Sequence, residues 1–147
     1  MGRGIGLMNA DDLIADFEFL DNWEDRYRHV IELGKKLPPF PDAERNETNK
    51  VQGCASQVWL ISDLKQTPAG TIIEFQGDSD AHIVRGLVAV LLHLVSGRSP
   101  KEIMETDILG VFRQIGLEGH LTPQRSNGLR SMVERIRGHA RAALAAA

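Results

Sequence analysis

Cys54 is the only cysteine in the 147-residue chain and sits in the stretch KVQGCASQVWL, residues 50–60. A thiolate is a nucleophile toward carbon and sulfur, but an unperturbed thiol with a pKa of about 8.5 is only a few per cent ionised near neutral pH, so a nearby cation would help. A lone cysteine is also a common small core residue. The neighbours bear on that choice. Gly53, Ala55 and Ser56 leave backbone and sulfur uncrowded, and Val58, Trp59, Leu60 and Ile61 follow as a β-prone apolar run. The pattern fits a thiol presented on a turn at the end of a rigid element. One cysteine cannot close an internal disulfide, nor supply the thiolates of a Cys-rich zinc site or an ordinary iron–sulfur cluster.

Other residues could join such a site. The five histidines, His29, His82, His93, His120 and His139, show no metal-ligand spacing. His93 lies in the most apolar segment and reads as a core histidine; His29 and His139 read as surface helix residues. A Cys–His hydrolase would need one histidine beside Cys54, and His120, in a loop, is the least excluded. GDSDAH, residues 77–82, is too short for an EF-hand and lacks its later Glu, so helix capping by Asp78, Ser79 or Asp80 is the plainer reading. HLTPQRSNGL, residues 120–129, is a turn into the last helix, with start signals at Thr122–Pro123 and Ser126–Asn127 and with Arg125 in the turn.

Composition limits the rest. A 147-residue chain with 42% hydrophobic and 25% charged residues is an ordinary globular domain. At this size it buries roughly 68–70% of its unfolded surface, enough to fold without disulfides or metal. Seventeen basic against 20 acidic side chains argue against nucleic acid as a partner, since phosphate binding needs a concentrated basic surface. The longest apolar run, GLVAVLLHLV, is about half a membrane span. With no signal-peptide core and a free thiol, a cytoplasmic location is expected.

The elements that must position Cys54 follow from periodicity. Leu13, Ile14, Phe17 and Leu20 mark a first amphipathic helix. A second starts at Asn22 as N-cap, with Asp25 in the capping-box position, a stripe at Trp23, Tyr27, Val30 and Ile31, and Gly34 as its stop. KKLPPFPDAERNETNK is a crossing loop. NKVQ, SQVWLISDL and TIIEFQGD read as three antiparallel strands, the last two joined by the turn KQTPAGT, so Cys54 falls between the first two. DAHIVRGLVAVLLHLVSG is apolar around most of its circumference, a buried central helix ending at Gly97. SPKE at Ser99–Glu102 is a helix start, a short helix covers about 109–115, and the last helix carries Leu129, Met132, Val133, Ile136, Ala140 and Leu144. The expected fold is α+β, one domain over residues 1–147, with residues 1–8 flexible.

The blocks NWEDRYRHVIELGKKLP, VQGCASQVWL, IIEFQGDSDAHIVRGLVAVL and HLTPQRSNGL, in this order, closely resemble the SufE/CsdE family of sulfur-acceptor proteins, over Leu13 to about Ala140. The resemblance implies a fold like that of the iron–sulfur scaffold proteins (SufE/IscU-like). It implies that Cys54 takes persulfide sulfur from a pyridoxal-phosphate-dependent cysteine desulfurase, SufS- or CsdA-like, stimulates that enzyme and passes sulfur toward cluster assembly. Arg125, Asp78, Asp80, Gln57 and His120 are then supporting or partner-contact candidates. The chain itself would need no cofactor or metal, bind neither nucleic acid nor membrane, and act as a monomer or homodimer. Thiolate attack on a sulfur–sulfur bond needs one nucleophile only, and a second thiol nearby would discharge the carried sulfur as sulfide. A purely allosteric desulfurase activator and a Cys–His hydrolase are the alternatives.

Overall fold

The computed structural model describes residues 10–146; the flexibility expected of residues 1–8 lies outside them. Two helices, α1 (Ala10–Glu18) and α2 (Trp23–Lys35), precede a loop with one 3-10 turn at Asp42–Glu44. A hairpin of β1 (Val58–Thr67) and β2 (Gly70–Ser79) leads into α3 (His82–Val95). Short helices α4 (Pro100–Glu105) and α5 (Ile108–Gln114) and a 3-10 turn at Glu118–His120 connect to the long α6 (Pro123–Ala146).

Helix α3 is the axis of the core. From Ile83 to Val95 every residue except Arg85 is buried, as its nearly unbroken apolar sequence requires. Around it lie Leu13 and Phe17 of α1, Val30 and Leu33 of α2, Leu60, Ile73 and Phe75 of the hairpin, and Met132, Val133 and Ile136 of α6. Helix α2 does not stop at Gly34; it continues to Lys35. Gly34 is instead a point of backbone approach: a Cβ there would lie 2.7 Å from the Gly86 nitrogen, and one on Gly86 would lie 2.3 Å from the Val30 carbonyl oxygen. Two glycines let α2 and α3 touch backbone to backbone. His29 is correspondingly half-buried rather than on the surface, its ring edge-on to Phe17 at 4.8 Å.

The sheet has two strands, not three. β1 and β2 pair antiparallel from Val58↔Ser79 to Thr67↔Gly70. NKVQ contributes a single bridge, Lys50↔Trp59, held by Val51 N–H to Val58 O (2.8 Å) and Leu60 N–H to Asn49 O (3.0 Å). The ladder stops there because the Asn49 N–H, which a further pair would give to the Leu60 carbonyl, donates to Asn46 Oδ1 instead (3.0 Å). Arg135 of α6 holds the outward-facing Lys50 (3.2 Å) and Thr48 (2.6 Å) carbonyls. On the far edge a second bridge, Ile73↔Arg98, takes the place of another strand. Ser99 and Glu102 form the expected capping box at α4.

Candidate functional site

The Cys54 loop, Gln52–Gln57, leaves the bridge at Lys50 and enters β1 at Val58, so it projects from the end of the hairpin. Both ends are pinned. Upstream are the Val51–Val58 bond and the two Arg135 contacts. Downstream, Gln57 N–H donates to Asp80 Oδ1 (3.1 Å), and Asp80 N–H returns a bond to Gln57 O (3.3 Å). Between the pins, Gly53 turns with φ of +91°, a conformation that side chains disfavour. A Cβ at Gly53 would also come within 2.5 Å of Ser131 Oγ on α6. Gly53 thus supplies both the turn and the close approach of loop to helix.

The thiol points inward, half-buried, with Sγ 3.5 Å from the Gly128 carbonyl oxygen of α6. Burial pushes its pKa up, so the thiol is protonated at neutral pH and donates to that carbonyl. A cavity of about 230 Å³ opens beside the sulfur. Its floor is apolar: Val84 and Leu87 of α3, Met132 of α6. Thr122 and, in the first turn of α6, Gln124 and Arg125 form another side, and Arg125 is the one charged residue lining it among the described residues.

The structure relocates several expected residues. Arg125 stands in the first turn of α6, not in a turn before it, because Thr122 and Pro123 are the start signal that is used: Arg125 N–H donates to Thr122 Oγ1 (3.2 Å). None of Asp78, Ser79 and Asp80 is the N-cap of α3; that position is Ala81, whose side chain cannot accept. Asp80 holds the Cys54 loop instead. Asp78, buried, accepts from Arg45 (Nη2 to Oδ2, 2.7 Å) and Arg85 (Nε to Oδ1, 2.8 Å). Burial alone would raise its pKa, but the Arg45 hydrogen bond, the Ser79 backbone and Arg85 outweigh it, holding the carboxyl below the ordinary range. Asp78 therefore cross-links the loop before β1, the sheet and α3, and Arg45 lies over the Phe40 and Trp59 rings as well.

His120 is exposed and stacks on Trp23, ring centroids 4.3 Å apart and nearly parallel. No histidine lines the Cys54 cavity, which leaves the hydrolase reading without its base. His139 is half-buried, not a surface residue, with Nδ1 2.5 Å from Ser62 Oγ and Nε2 facing Arg135 Nε at 3.4 Å. Among the described residues no group of three or more His, Cys, Asp or Glu could hold a metal ion, and no helix is long and apolar enough to cross a membrane.

Sequence reasoning missed Gly128, Arg135 and Arg45. Gly128 stood inside SNGL and signalled only a turn; the two arginines sit where charge reads as a solvated face, and only the tertiary fold turns them onto carbonyls and a buried carboxylate.

Comparison with known proteins bears on the family and the fold. The model of a family described as SufE, an Fe-S metabolism associated domain, matches residues 11–140. An uncharacterized SufE-like protein of Rhizobium meliloti (strain 1021) is 53% identical over 140 residues, 95% of this chain and 100% of the relative. Another, from Rhizobium etli, is 53% identical over 145 residues, 99% of this chain and 98% of the relative. The solution structure of a hypothetical protein from Thermus thermophilus has the same fold, with a TM-score of 0.74 and 25% identity over 92% of this chain and 96% of that one. A family model that covers residues 11–140 and relatives 53% identical over nearly the whole chain place this protein in the SufE family, whose domain is associated with Fe–S metabolism.

Proposed function

We propose that the protein is a sulfur carrier: Cys54 accepts sulfane sulfur from a pyridoxal-phosphate-dependent cysteine desulfurase and hands it on for iron–sulfur cluster assembly. The observation that carries this is the seat of the thiol. A single cysteine, protonated and half-buried at rest, lies on a loop pinned at both ends, over a cavity with an apolar floor and with Arg125 in its lining. A hydrolase would want an adjacent base, and a packing residue would not need a cavity beside its sulfur.

In the transfer, the Cys54 thiolate attacks the outer sulfur of the desulfurase persulfide. The donor's sulfur–sulfur bond breaks, a new one forms on Sγ of Cys54, and the donor cysteine leaves as thiolate. No electrons enter from outside. Arg125, lining the cavity, is the side chain that stabilises the Cys54 thiolate as the loop moves. The second transfer repeats the exchange with a downstream acceptor thiol attacking the carried sulfur. The carrier acts in the cytoplasm, alongside the desulfurase.

Intact-mass analysis after incubation with a desulfurase and cysteine tests the reading. The expected result is a gain of one sulfur, removed by reductant and absent from Cys54→Ser. Stimulation of the desulfurase with no added mass on Cys54 would establish the purely allosteric role instead.

A further inference from the structure

We infer that the Gly128 carbonyl is a charge-selective seat for the sulfur, holding Cys54 as the neutral thiol and releasing it once the sulfur bears negative charge. The inference deepens the carrier reading and rests on it for the source of the persulfide. Gly128 is the sixth residue of α6. Its carbonyl oxygen has two lone pairs, one available to the helix ladder and one to the Cys54 S–H at 3.5 Å. A neutral thiol can donate to that oxygen. A thiolate or a persulfide anion cannot, and it meets the negative end of the carbonyl dipole instead.

The residues around that spot offer an anion no charged partner. Helix α3 presents Val84 and Leu87, the loop presents Ala55 and Ser56, and α6 presents Met132; none is charged. Among the described residues the cavity's one charged residue is Arg125, exposed on the first turn of α6. Loop and helix pack closely at this point: a Cβ on Gly128 would lie in van der Waals contact with Sγ, at 3.4 Å. The sulfur therefore has two places within one cavity, a carbonyl for the neutral form and a guanidinium for the anion. A persulfide is a stronger acid than its parent thiol, so loading itself supplies the charge. The discharged carrier closes on Gly128, and the loaded carrier moves toward Arg125. Gly128 is in this sense a positioning residue for the transfer reaction.

The test loads the full-length protein without a desulfurase, using inorganic tetrasulfide. The Cys54 thiolate takes one terminal sulfur, giving the Cys54 persulfide and trisulfide. Hydrogen exchange of the peptide spanning residues 50–57 is then measured by mass spectrometry and divided by the intrinsic rate at each pH. Loaded protein at pH 7 should open at least about threefold more often than the thiol form. The thiol form should loosen as pH rises through ionisation of Cys54. Cys54→Ser, whose hydroxyl donates to the same carbonyl and stays neutral, should not loosen. Loaded and unloaded protein exchanging alike would overturn the inference, as would Cys54→Ser loosening in step with the wild type. If tetrasulfide loosens the loop but no desulfurase loads Cys54, the carrier reading fails while the charge-selective seat stands.

Discussion

The Cys54 thiol faces the Gly128 carbonyl oxygen across 3.5 Å, and the segment between them in sequence contains most of the core. The contact joins the end of a hairpin to the second turn of the last helix, so sulfur and seat belong to different elements and can separate without unfolding either.

Replacing Cys54 by Ser should leave the fold intact and abolish sulfur acceptance. The side chain is half-buried and its hydroxyl can keep the Gly128 bond, so stability should change by no more than about 1 kcal/mol. Urea unfolding and persulfide mass analysis read the two halves. An unfolded variant would make Cys54 a structural residue.

Arg125→Ala should slow sulfur transfer more than it changes stability. The side chain is exposed, where substitutions usually move stability by under about 0.5 kcal/mol. Transfer rate at subsaturating acceptor is the measurement, and an unchanged rate would reduce Arg125 to a helix-terminal bystander.

Alkylation of Cys54 by iodoacetamide should be slower than that of an unstructured cysteine peptide at the same pH, and should change when desulfurase is added. Burial both shields the sulfur and keeps it protonated. A rate equal to the peptide's would mean a simply exposed thiol.

Asp80→Ala should free the downstream pin of the loop. Gln57 N–H loses its acceptor, and for a bond worth about 1 kcal/mol its amide should exchange about fivefold faster. Exchange at Val51, held by a backbone bond to Val58, should stay as it is. Equal rates at Gln57 in both proteins would remove Asp80 from the loop's support.

Acidification should destabilise the fold between pH 7.5 and 5.5. Burial is the leading cause that depresses the pKa of His29, of His93 and of His139. The unfolded chain therefore takes up protons at about 6.5 where the folded chain resists them, and stability falls as pH drops through that value. Asp78, with its pKa held low, loses its ion pairs only at more acidic pH, outside this window. The urea midpoint should fall over the window, with a shallower slope in His139→Gln. A midpoint that is flat or rises on acidification would contradict this.

Much of the fold was legible because the determining signals are local. The buried circumference of α3 and the Ser99–Glu102 capping box both follow from residues a few positions apart. Cys54 on a turn was legible for the same reason. Gly34 was misread because a glycine near a helix end looks like a stop, while its cause, contact with Gly86, is 52 residues away in sequence. The third strand failed for a different reason: the Asn46 side chain takes the Asn49 N–H that a longer ladder would give to β1, and nothing in NKVQ itself announces that. Asp80 looked like a cap because its real partner, the Gln57 amide, lies across the hairpin.

Helix α6 carries both Gly128, which faces the sulfur, and Arg135, which reaches the Thr48 and Lys50 carbonyls. The two residues are seven apart, about two helical turns, and so lie on nearly the same side of the helix. Seat and tether are thus fixed to one rigid rod. A partner that grips the outer side of α6 and rolls it slightly about its axis would slacken the tether and withdraw the seat in one motion, so recognition and uncovering of the thiol can be a single mechanical event.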